Sequence, residues 1–593
     1  GISFSALSSP LLAAAMMRFR QERSEKTIGS RRELTRFMRQ YADAYSRVLA
    51  DGVSEFNMLA LTMDEYTSST GALKVLSTTV HWLDADFRRR QLAIDITDIT
   101  DGANADAVCA AIRSTVDRRF SHDAIVSAIT ADNAAVMQRA AETLLKNRRD
   151  CVRCFAHTLQ LLVMEHGMQR VPALKAGIDA IASVMTTLKK SKLMREVTRA
   201  RAADGKGRLG VVLRVPTRWT STLRMLHRFK QLRPYLTCVS DSLETLSGAL
   251  QDHTLDHLTR VVTPFEQVTH LASGHRHTIA DVPAWIVLLE RHVRRCRAIV
   301  EPAVAELVQQ LSTKFHEYLT DRFVASLDDG EWQPRLPLIC SVLHPAYKKG
   351  NYLVSLFAAR TGRLEPVPAP DGAQVAAPGE RDGEDLPELG MALANALTEL
   401  TNHLRDFILP EKRVAPAEEE HELKLYRGRS NIVGRADSVD VEVSNWMRRV
   451  WAEAFYPGAE GMVVSSVDVL EFWRQHKNTP GLTYMSRLAR IMLAIPPTQT
   501  DSERLFSLIG RLFDKRRARL SLRSLQCQLV FESMPCTAEA LESIRCCLSA
   551  GMVPPSADRQ DRVSPLLAPS EDDSDTDDGD DISSGHDETY AQE

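Results

Sequence analysis

Two aspartates stand at positions where they could do metal chemistry together. Asp64 ends a β-rich run in LALTMDEYTSS, and Asp132 ends another in IVSAITADNAAVM. If these runs are neighbouring strands, both carboxylates emerge at one edge of a sheet, and their hard oxygens suit a shared Mg²⁺ or Mn²⁺ ion. The alternative is that each aspartate caps a strand or a turn, as Asp-Asn after a strand often does. Local sequence alone favours that alternative.

The elements that must position these aspartates form a recognisable order. β-rich runs at 56–64, 71–82 and 91–99 are followed by a helical segment at 105–119, a strand at 124–130, a helix at 133–145 and a short strand near 151–155 that leads into another helix. The order βββαβαβα predicts an α/β fold with a mixed sheet, which is the ribonuclease-H-like arrangement. In it, the first and fourth strands are neighbours.

The middle of the chain has helical periodicity instead. Apolar residues recur every three or four positions at 30–49, 235–250, 282–293 and 304–323, which predicts core-facing helices. Segments 364–390, rich in proline, and 411–440, charged without periodicity, indicate disordered linkers. We therefore divide the chain into an N-terminal helical segment (1–50), a first core part (51–165), an all-helical insertion (166–485), a second core part (486–548) and a disordered tail (549–593).

Composition narrows the class of protein. The chain has 593 residues, 44% of them hydrophobic and 25% charged, which is typical of folded multidomain proteins. Its ten cysteines are too sparse for a disulfide framework, so we expect a reducing compartment, and no run of residues predicts a membrane helix. Residues 570–593 hold eleven acidic residues and no Lys or Arg, so the rest of the chain carries a mild basic excess that is compatible with a nucleic-acid partner. We expect this tail to be solvated, with mimicry of DNA phosphates as the alternative.

A third carboxylate, Glu503, follows a helix break at Pro496-Pro497. Thr500 and Glu503 have the Thr-x-x-Glu spacing of a capping box, so a structural role for Glu503 is a sound interpretation. The helices that follow present apolar faces that could cover a sheet or a partner subunit. Those faces include Leu505, Phe506, Ile509, Leu525 and Leu529.

Two smaller motifs leave alternatives open. Cys151, Cys154 and His157 have the spacing Cys-x-x-Cys-x-x-His, but no fourth zinc ligand is evident, so buried packing is favoured over a zinc site. Trp219 on its own is typical of a core or interface aromatic residue. A basic cluster at 515–519 could be a solvated face, a nuclear-import signal or a track for phosphates.

The chain resembles the hAT superfamily of cut-and-paste DNA transposases and their domesticated relatives. The most specific part is 488–534, where IPPTQTDSERLFSLIG is followed by KRRARLS and LVFES and is similar to the hAT dimerisation region. Further similar motifs are spread along the chain. They are LTMDEYTSS, AITADNAAVM, CFAHTLQLLV, VPTRWTSTLRML, SVLHPAYKK and VLEFWRQHKNTPGL.

The resemblance implies roles for particular residues. It implies a catalytic trio of Asp64, Asp132 and Glu503 that holds Mg²⁺ or Mn²⁺ in a ribonuclease-H-like core interrupted by a helical insertion. It implies contact of Arg218 and Trp219 with DNA at the cleaved end, and a structural or DNA-end role for Cys154 and His157. It implies that the apolar residues named above in 488–534 contribute to dimerisation. Lys515, Arg516, Arg517 and Arg519 become candidate DNA contacts.

The function that the resemblance implies is metal-dependent cleavage and transfer of DNA strands by a nuclear homodimer or higher oligomer. The alternative is a domesticated DNA- or protein-binding dimer without enzymatic activity. Relatives often begin with a BED zinc finger, but no cysteine precedes Cys109, so that finger is lost or lies upstream of Gly1, and we expect no zinc in this chain. His344 stands where relatives are expected to have an acidic residue.

Overall fold

The computed structural model describes residues 58–67, 74–99, 104–120, 125–145, 151–190, 192–215, 219–362, 386–408, 433–449, 467–500 and 502. These residues form a mixed sheet and many helices, so the predicted mixed α/β class is confirmed.

A five-stranded sheet carries both aspartates. Its strands are β1 (Met58–Thr67), β2 (Lys74–Leu83), β3 (Arg89–Asp98), β4 (Ile125–Ala131) and β5 (Cys151–Arg153). Their order across the sheet is β3-β2-β1-β4-β5, with β1, β2 and β3 antiparallel in turn and β1, β4 and β5 parallel. Strands β1 and β4 are therefore neighbours, as the sequence predicts. Strand β1 does not stop at Asp64 but runs to Thr67, because β2 continues to pair with it beyond the end of β4.

Two helices connect the strands of the sheet. Helix α1 (Ala105–Arg119) is capped by Asn104, whose side chain accepts a hydrogen bond from the Ala107 amide, and α2 (Ala135–Leu145) packs against α1. Most of β1 and β2 is buried, as expected for a sheet that is covered on both faces.

Helices then follow from β5 onwards. They are α3 (Phe155–Gln160, continued by a π-helical turn Leu161–Glu165), α4 (Pro172–Lys190), α5 (Leu193–Ala203), α6 (Trp219–Leu232), α7 (Asp252–Ala272), α8 (Val282–Cys296), α9 (Pro302–Phe315), α10 (Asp321–Phe323), α11 (Leu336–Ser341), α12 (Val354–Arg360), α13 (Pro387–Ile408), α14 (Val433–Arg448), α15 (Val469–His476) and α16 (Thr483–Met492). A π-helical turn, His316–Thr320, joins α9 to α10. One hydrophobic cluster runs from the sheet through these helices.

The predicted all-helical insertion contains a hairpin. Strands β6 (Ala325–Asp328) and β7 (Glu331–Pro334) pair across a two-residue turn, Asp329-Gly330, in which both residues have positive φ. An Asp-Gly turn of this type matches the twist of paired strands, so the sequence carried the signal and only the shortness of the strands hid it.

Three other predicted segments differ in the structure. The segment predicted as a helix at 235–250 forms 3₁₀ turns, Arg233–Ser242 and Glu244–Gly248, because its many Ser and Thr residues compete for backbone hydrogen bonds. Helix α13 begins at Pro387, inside a predicted linker, where proline suits the first helical turn. Helix α14 begins inside the other predicted linker. The remaining linker residues, the segment 1–57 and the tail lie outside the described residues.

Within the insertion, the carbonyls of two consecutive residues after α11 anchor helices α14 and α15. The indole of Trp446 on α14 donates to Val342 O at 2.8 Å, and the indole of Trp473 on α15 donates to Leu343 O at 2.9 Å. Both rings are fully buried and lie 4.9 Å apart. Lys348 donates to the carbonyls of Trp446 and Arg449, so it closes the C-terminal end of α14.

Within the described ranges, no single helix is long and apolar enough to cross a membrane. Only the bent pair Phe155–Arg170 and Pro172–Lys190 reaches that length and composition together.

Candidate functional site

The pairing of β1 with β4 places Asp64 and Asp132 at equivalent positions, each just beyond the last residue pair of the two strands. The parallel ladder between β1 and β4 ends with Met63 opposite Ala131, and each aspartate directly follows one of these partners. Asp64 remains paired on its other side with Ser77 of β2. Both aspartates therefore leave the sheet at the same end of the same strand pair.

Asp132 also caps the turn that leads into α2. Its Oδ1 accepts a hydrogen bond from the Ala134 amide at 3.0 Å, so the capping role that local sequence favours is present. A carboxylate has a second oxygen, and among the described residues no side chain or amide donates to Oδ2 of Asp132. The capping role thus fixes this carboxylate and leaves an oxygen for a ligand.

The pKa of Asp132 is raised above its usual value. Burial is the main cause, and the nearby Glu65 carboxylate acts in the same direction. The Ala134 amide, His157 and Arg153 act in the opposite direction without cancelling the effect. Ionised Asp132 therefore carries a partly buried negative charge that a bound cation would compensate.

The backbone at Asp132 is held by Gln138, a residue that sequence reasoning missed. Gln138 is 7% exposed, and its Nε2 donates to Asp132 O at 2.5 Å. A buried amide one helical turn away thus fixes the loop that carries the carboxylate.

The segment before Glu503 is attached to the same end of the sheet. Thr130 Oγ1 donates to Pro496 O at 2.7 Å, and the Phe155 amide donates to Pro497 O at 2.9 Å. These bonds join the segment to β4 and to the start of α3. Proline cannot donate from its own nitrogen, but both carbonyls are used here.

Gln499 and Ser502 extend this attachment to β1 and β5. Gln499 is 3% exposed; its side-chain Nε2 donates to Met63 O, and its amide donates to Cys154 Sγ at 3.4 Å. Ser502 is fully buried, and its Oγ lies 3.5 Å from Thr62 Oγ1. Thr500 is already helical and its amide donates to Thr498 Oγ1, so Thr500 is not the residue that precedes the helix as predicted. Glu503 itself lies outside the described residues.

Cys154 has a packing role at this junction. It is 3% exposed, its amide donates to Ala131 O at 2.6 Å, and its sulfur accepts from Gln499 as above. Cys151 and His157 are partly exposed, and His157 is near enough to Asp132 to influence its pKa. In the parts of the chain that the structure describes, no three His, Cys, Asp or Glu side chains are placed to hold a metal ion.

Trp219 does not offer a ring for stacking in this structure. It is 4% exposed at the start of α6, whose inner face also carries Leu223, Leu226 and Phe229. Its indole Nε1 is buried and, within the described ranges, has no hydrogen-bond partner. In this structure Trp219 therefore has a core position, and its predicted contact with DNA stays a prediction. Arg218 lies outside the described residues.

The other predicted residues of the C-terminal block also lie outside the described residues. These are the apolar residues Leu505, Phe506, Ile509, Leu525 and Leu529 and the basic residues Lys515, Arg516, Arg517 and Arg519.

Two segments of the chain match known family models. Residues 439–534 match the hAT family C-terminal dimerisation region, and residues 152–262 match the ZBED1 RNase-like helical domain. The resemblance to the hAT superfamily is confirmed. The matched hAT dimerisation region begins at 439 and includes part of α14 as well as α15 and α16, so it is longer than the predicted 488–534.

A curated relative supports the same family. Over 517 residues the chain is 22% identical to the protein of Zea mays named "Putative AC transposase". The alignment covers 82% of this chain and 57% of that hAT relative. The chain therefore spans little more than half the length of the relative.

The donor chemistry of the site fits a hard divalent cation. Asp64 and Asp132 offer carboxylate oxygens, and burial raises the pKa of Asp132 because it disfavours an uncompensated negative charge there. Asp64 stands in β1, Asp132 directly follows β4, and the segment that ends at Ser502 is bonded to the same sheet. Residues of these types suit Mg²⁺ or Mn²⁺ better than zinc or copper.

Proposed function

We propose that this chain is a hAT-type DNA transposase, or a protein derived from one, that cleaves and transfers DNA strands with a divalent metal. One observation carries the proposal. The end of the β1–β4 pair brings together Asp64, Asp132 and the segment that leads to Glu503. We further propose that β1–β5 with α1 and α2 is a ribonuclease-H-like core, which the strand order supports.

In this proposal, Asp64, Asp132 and Glu503 hold Mg²⁺ or Mn²⁺. Bound cations of this kind stabilise the attacking and leaving oxygens of an in-line displacement at phosphate. The residues of the chain supply the placement. Ala134 and Gln138 fix Asp132, and the pairing of β1 with β2 fixes Asp64.

The proposal includes partners and location. The match to the dimerisation region supports a homodimer or higher oligomer, with Leu505, Phe506, Ile509, Leu525 and Leu529 as candidate contact residues. DNA is the proposed substrate and the nucleus the proposed location. Lys515, Arg516, Arg517 and Arg519 remain candidate contacts with DNA phosphates.

A nicking assay tests the proposed activity. The purified chain with Mn²⁺ should nick DNA that carries the sequences flanking its own gene, and Asp132→Asn should abolish nicking while the circular dichroism spectrum stays unchanged. Asp179→Asn is the matched control, because Asp179 is an exposed aspartate that pairs with Arg214 on the helical insertion. Equal nicking by the wild type and Asp132→Asn would exclude this site. A folded wild-type dimer that binds DNA without nicking it would favour the non-enzymatic alternative.

A further inference from the structure

Two arginines from distant parts of the chain meet at one amide oxygen beside the candidate site. Asn133 directly follows Asp132, and its Oδ1 accepts from Arg153 Nη1 at 3.2 Å and from Arg322 Nη1 at 3.1 Å. Arg153 ends β5, whereas Arg322 stands in α10, 189 positions from Asn133. The sheet and the helical insertion together thus build a guanidinium pair.

The chain holds this pair in a fixed orientation. Asn133 Nδ2 donates to Thr158 Oγ1 at 3.0 Å, which orients the amide so that its oxygen faces the arginines. The guanidinium of Arg322 lies 4.0 Å from the ring centroid of Tyr318, and the hydroxyl of Tyr318 lies 2.5 Å from His166 Nε2. Because Arg322 is held on two sides, it loses little rotamer freedom when it binds an anion.

The charges at this pair are not balanced by an acidic partner of Arg322. Among the described residues, no carboxylate lies within ion-pairing distance of Arg322, whereas the adjacent Asp321 pairs with Arg360 at 3.3 Å. Both Arg153 and Arg322 are partly exposed. Arg322 therefore carries a charge that no described carboxylate neutralises at close range, and an anion with several oxygens can bond to both guanidiniums.

We propose that Arg153 and Arg322 bind a phosphate of the DNA backbone next to Asp132. The inference rests on the proposed function, because it names residues that position DNA at the same site. Arginine forks match the geometry of phosphate oxygens, and two forks held by Asn133 accept one phosphate without rearrangement. Asn133, which both arginines contact, directly follows Asp132, and Arg153 is near enough to Asp132 to lower its pKa, so a bound phosphate would be held beside that site. Arg153 and Arg322 are positioning residues in this scheme.

The experiment measures binding of the full chain to a fluorescein-labelled DNA duplex in EDTA over a series of salt concentrations. Each phosphate contact contributes about 0.9 to the slope of log affinity against log salt. Arg322→Gln and Arg153→Gln should each weaken binding about tenfold and reduce that slope by about 1. Arg322→Lys should keep the slope because it keeps the charge.

The control is Lys230→Gln, because Lys230 on α6 is already paired with Asp256 and should leave the slope unchanged. Thermal melting of every variant separates a loss of fold from a loss of contact. A slope equal to that of the wild type in both Arg153→Gln and Arg322→Gln would overturn the inference, as would an equal loss in Lys230→Gln. Asp132→Asn should bind the duplex at least as tightly as the wild type. A wild type that binds with the expected slope but does not nick DNA would therefore reject the proposed activity and keep this inference.

Discussion

Ser502 meets Thr62 across 440 positions of sequence, with their hydroxyl oxygens 3.5 Å apart and both side chains fully buried. Thr62 precedes Asp64 by two residues on β1, and Ser502 is the residue before Glu503. The contact therefore brings together the two distant parts of the chain that carry Asp64 and Glu503. It lies inside the protein. Bringing two distant segments together costs chain entropy, so this contact forms only if the contacts around it are favourable. Mutations that remove the neighbouring hydrogen bonds should therefore weaken it.

Gln499 should be the most sensitive of these neighbours. Gln499→Ala removes the side-chain bond to Met63 O and leaves a buried carbonyl without its donor, so we expect a loss of about 1–3 kcal/mol in the free energy of unfolding. Strand cleavage should fall more than stability, since the segment that leads to Glu503 loses its attachment to β1. Urea unfolding and the nicking assay measure the two effects. Gln475→Ala is the control, because among the residues that the structure describes its side chain bonds to Glu471 alone, on the surface of α15. An equal effect of both changes would reject the role of Gln499.

Asp132 should destabilise the metal-free protein at neutral pH. Because its pKa in the folded state is raised, chiefly by burial, the folded state holds this proton more tightly than the unfolded state. Its contribution to stability is present at low pH and is lost as pH rises through the pKa of the folded state. Asp132→Asn should therefore raise the melting temperature in EDTA at pH 7.

Addition of Mn²⁺ extends this prediction. The metal should raise the melting temperature of the wild type and leave that of Asp132→Asn unchanged, because binding to the folded state alone stabilises it. The stabilisation should grow with pH as Asp132 loses its proton. A melting temperature that Mn²⁺ raises equally in the two proteins would place metal binding elsewhere.

His344 gives a separate prediction about acid stability. It is fully buried, and burial lowers its pKa to about 4 although Asp281 lies 3.9 Å away and acts in the opposite direction. The unfolded state takes up this proton first, so stability should be full above the usual pKa of 6.5 and should fall towards pH 4 by about 3 kcal/mol. His344→Asn should flatten this part of the curve.

The measurement for His344 is urea unfolding at a series of pH values. His316, whose pKa burial also lowers to about 4, contributes in the same range, so the variant should remove only part of the slope. An unchanged slope in His344→Asn would show that His344 does not titrate between the folded and unfolded states.

The sequence predicted the sheet well because its signals are local. Alternating and β-branched residues gave the three-stranded meander, and Pro496-Pro497 ended α16 as expected. The order of the elements along the chain predicted that β1 and β4 are adjacent strands. Arg322 and Gln499 could not be predicted, because their partners Asn133 and Met63 are hundreds of positions away and nothing in the local pattern distinguishes them from surface residues. The burial of Trp219 did not follow from the resemblance, because a resemblance gives a role to a residue type, whereas burial depends on packing.

The dimerisation region supports a prediction about assembly. Obligate interfaces are core-like, and a charge buried within one is costly. If Leu529 faces the partner, Leu529→Asp should convert a dimer into monomers or aggregates, whereas deletion of 570–593 should leave association unchanged. Light scattering at micromolar concentration measures both. A wild-type monomer would reject the assembly proposal, and a dimer that tolerates changes throughout the region would move the interface.

The most direct test of the metal site is rescue by a metal that accepts a sulfur ligand more readily than Mg²⁺ does. Asp64→Cys, Asp132→Cys and Glu503→Cys each replace a hard oxygen ligand by a thiolate, which Mn²⁺ tolerates better than Mg²⁺. Strand cleavage by each variant should be lost in Mg²⁺ and restored in part by Mn²⁺, whereas Asp179→Cys should cleave like the wild type in both. Rescue at all three positions is the result that a shared metal site predicts. Cleavage in Mg²⁺ by any of the three variants at the wild-type rate would contradict it.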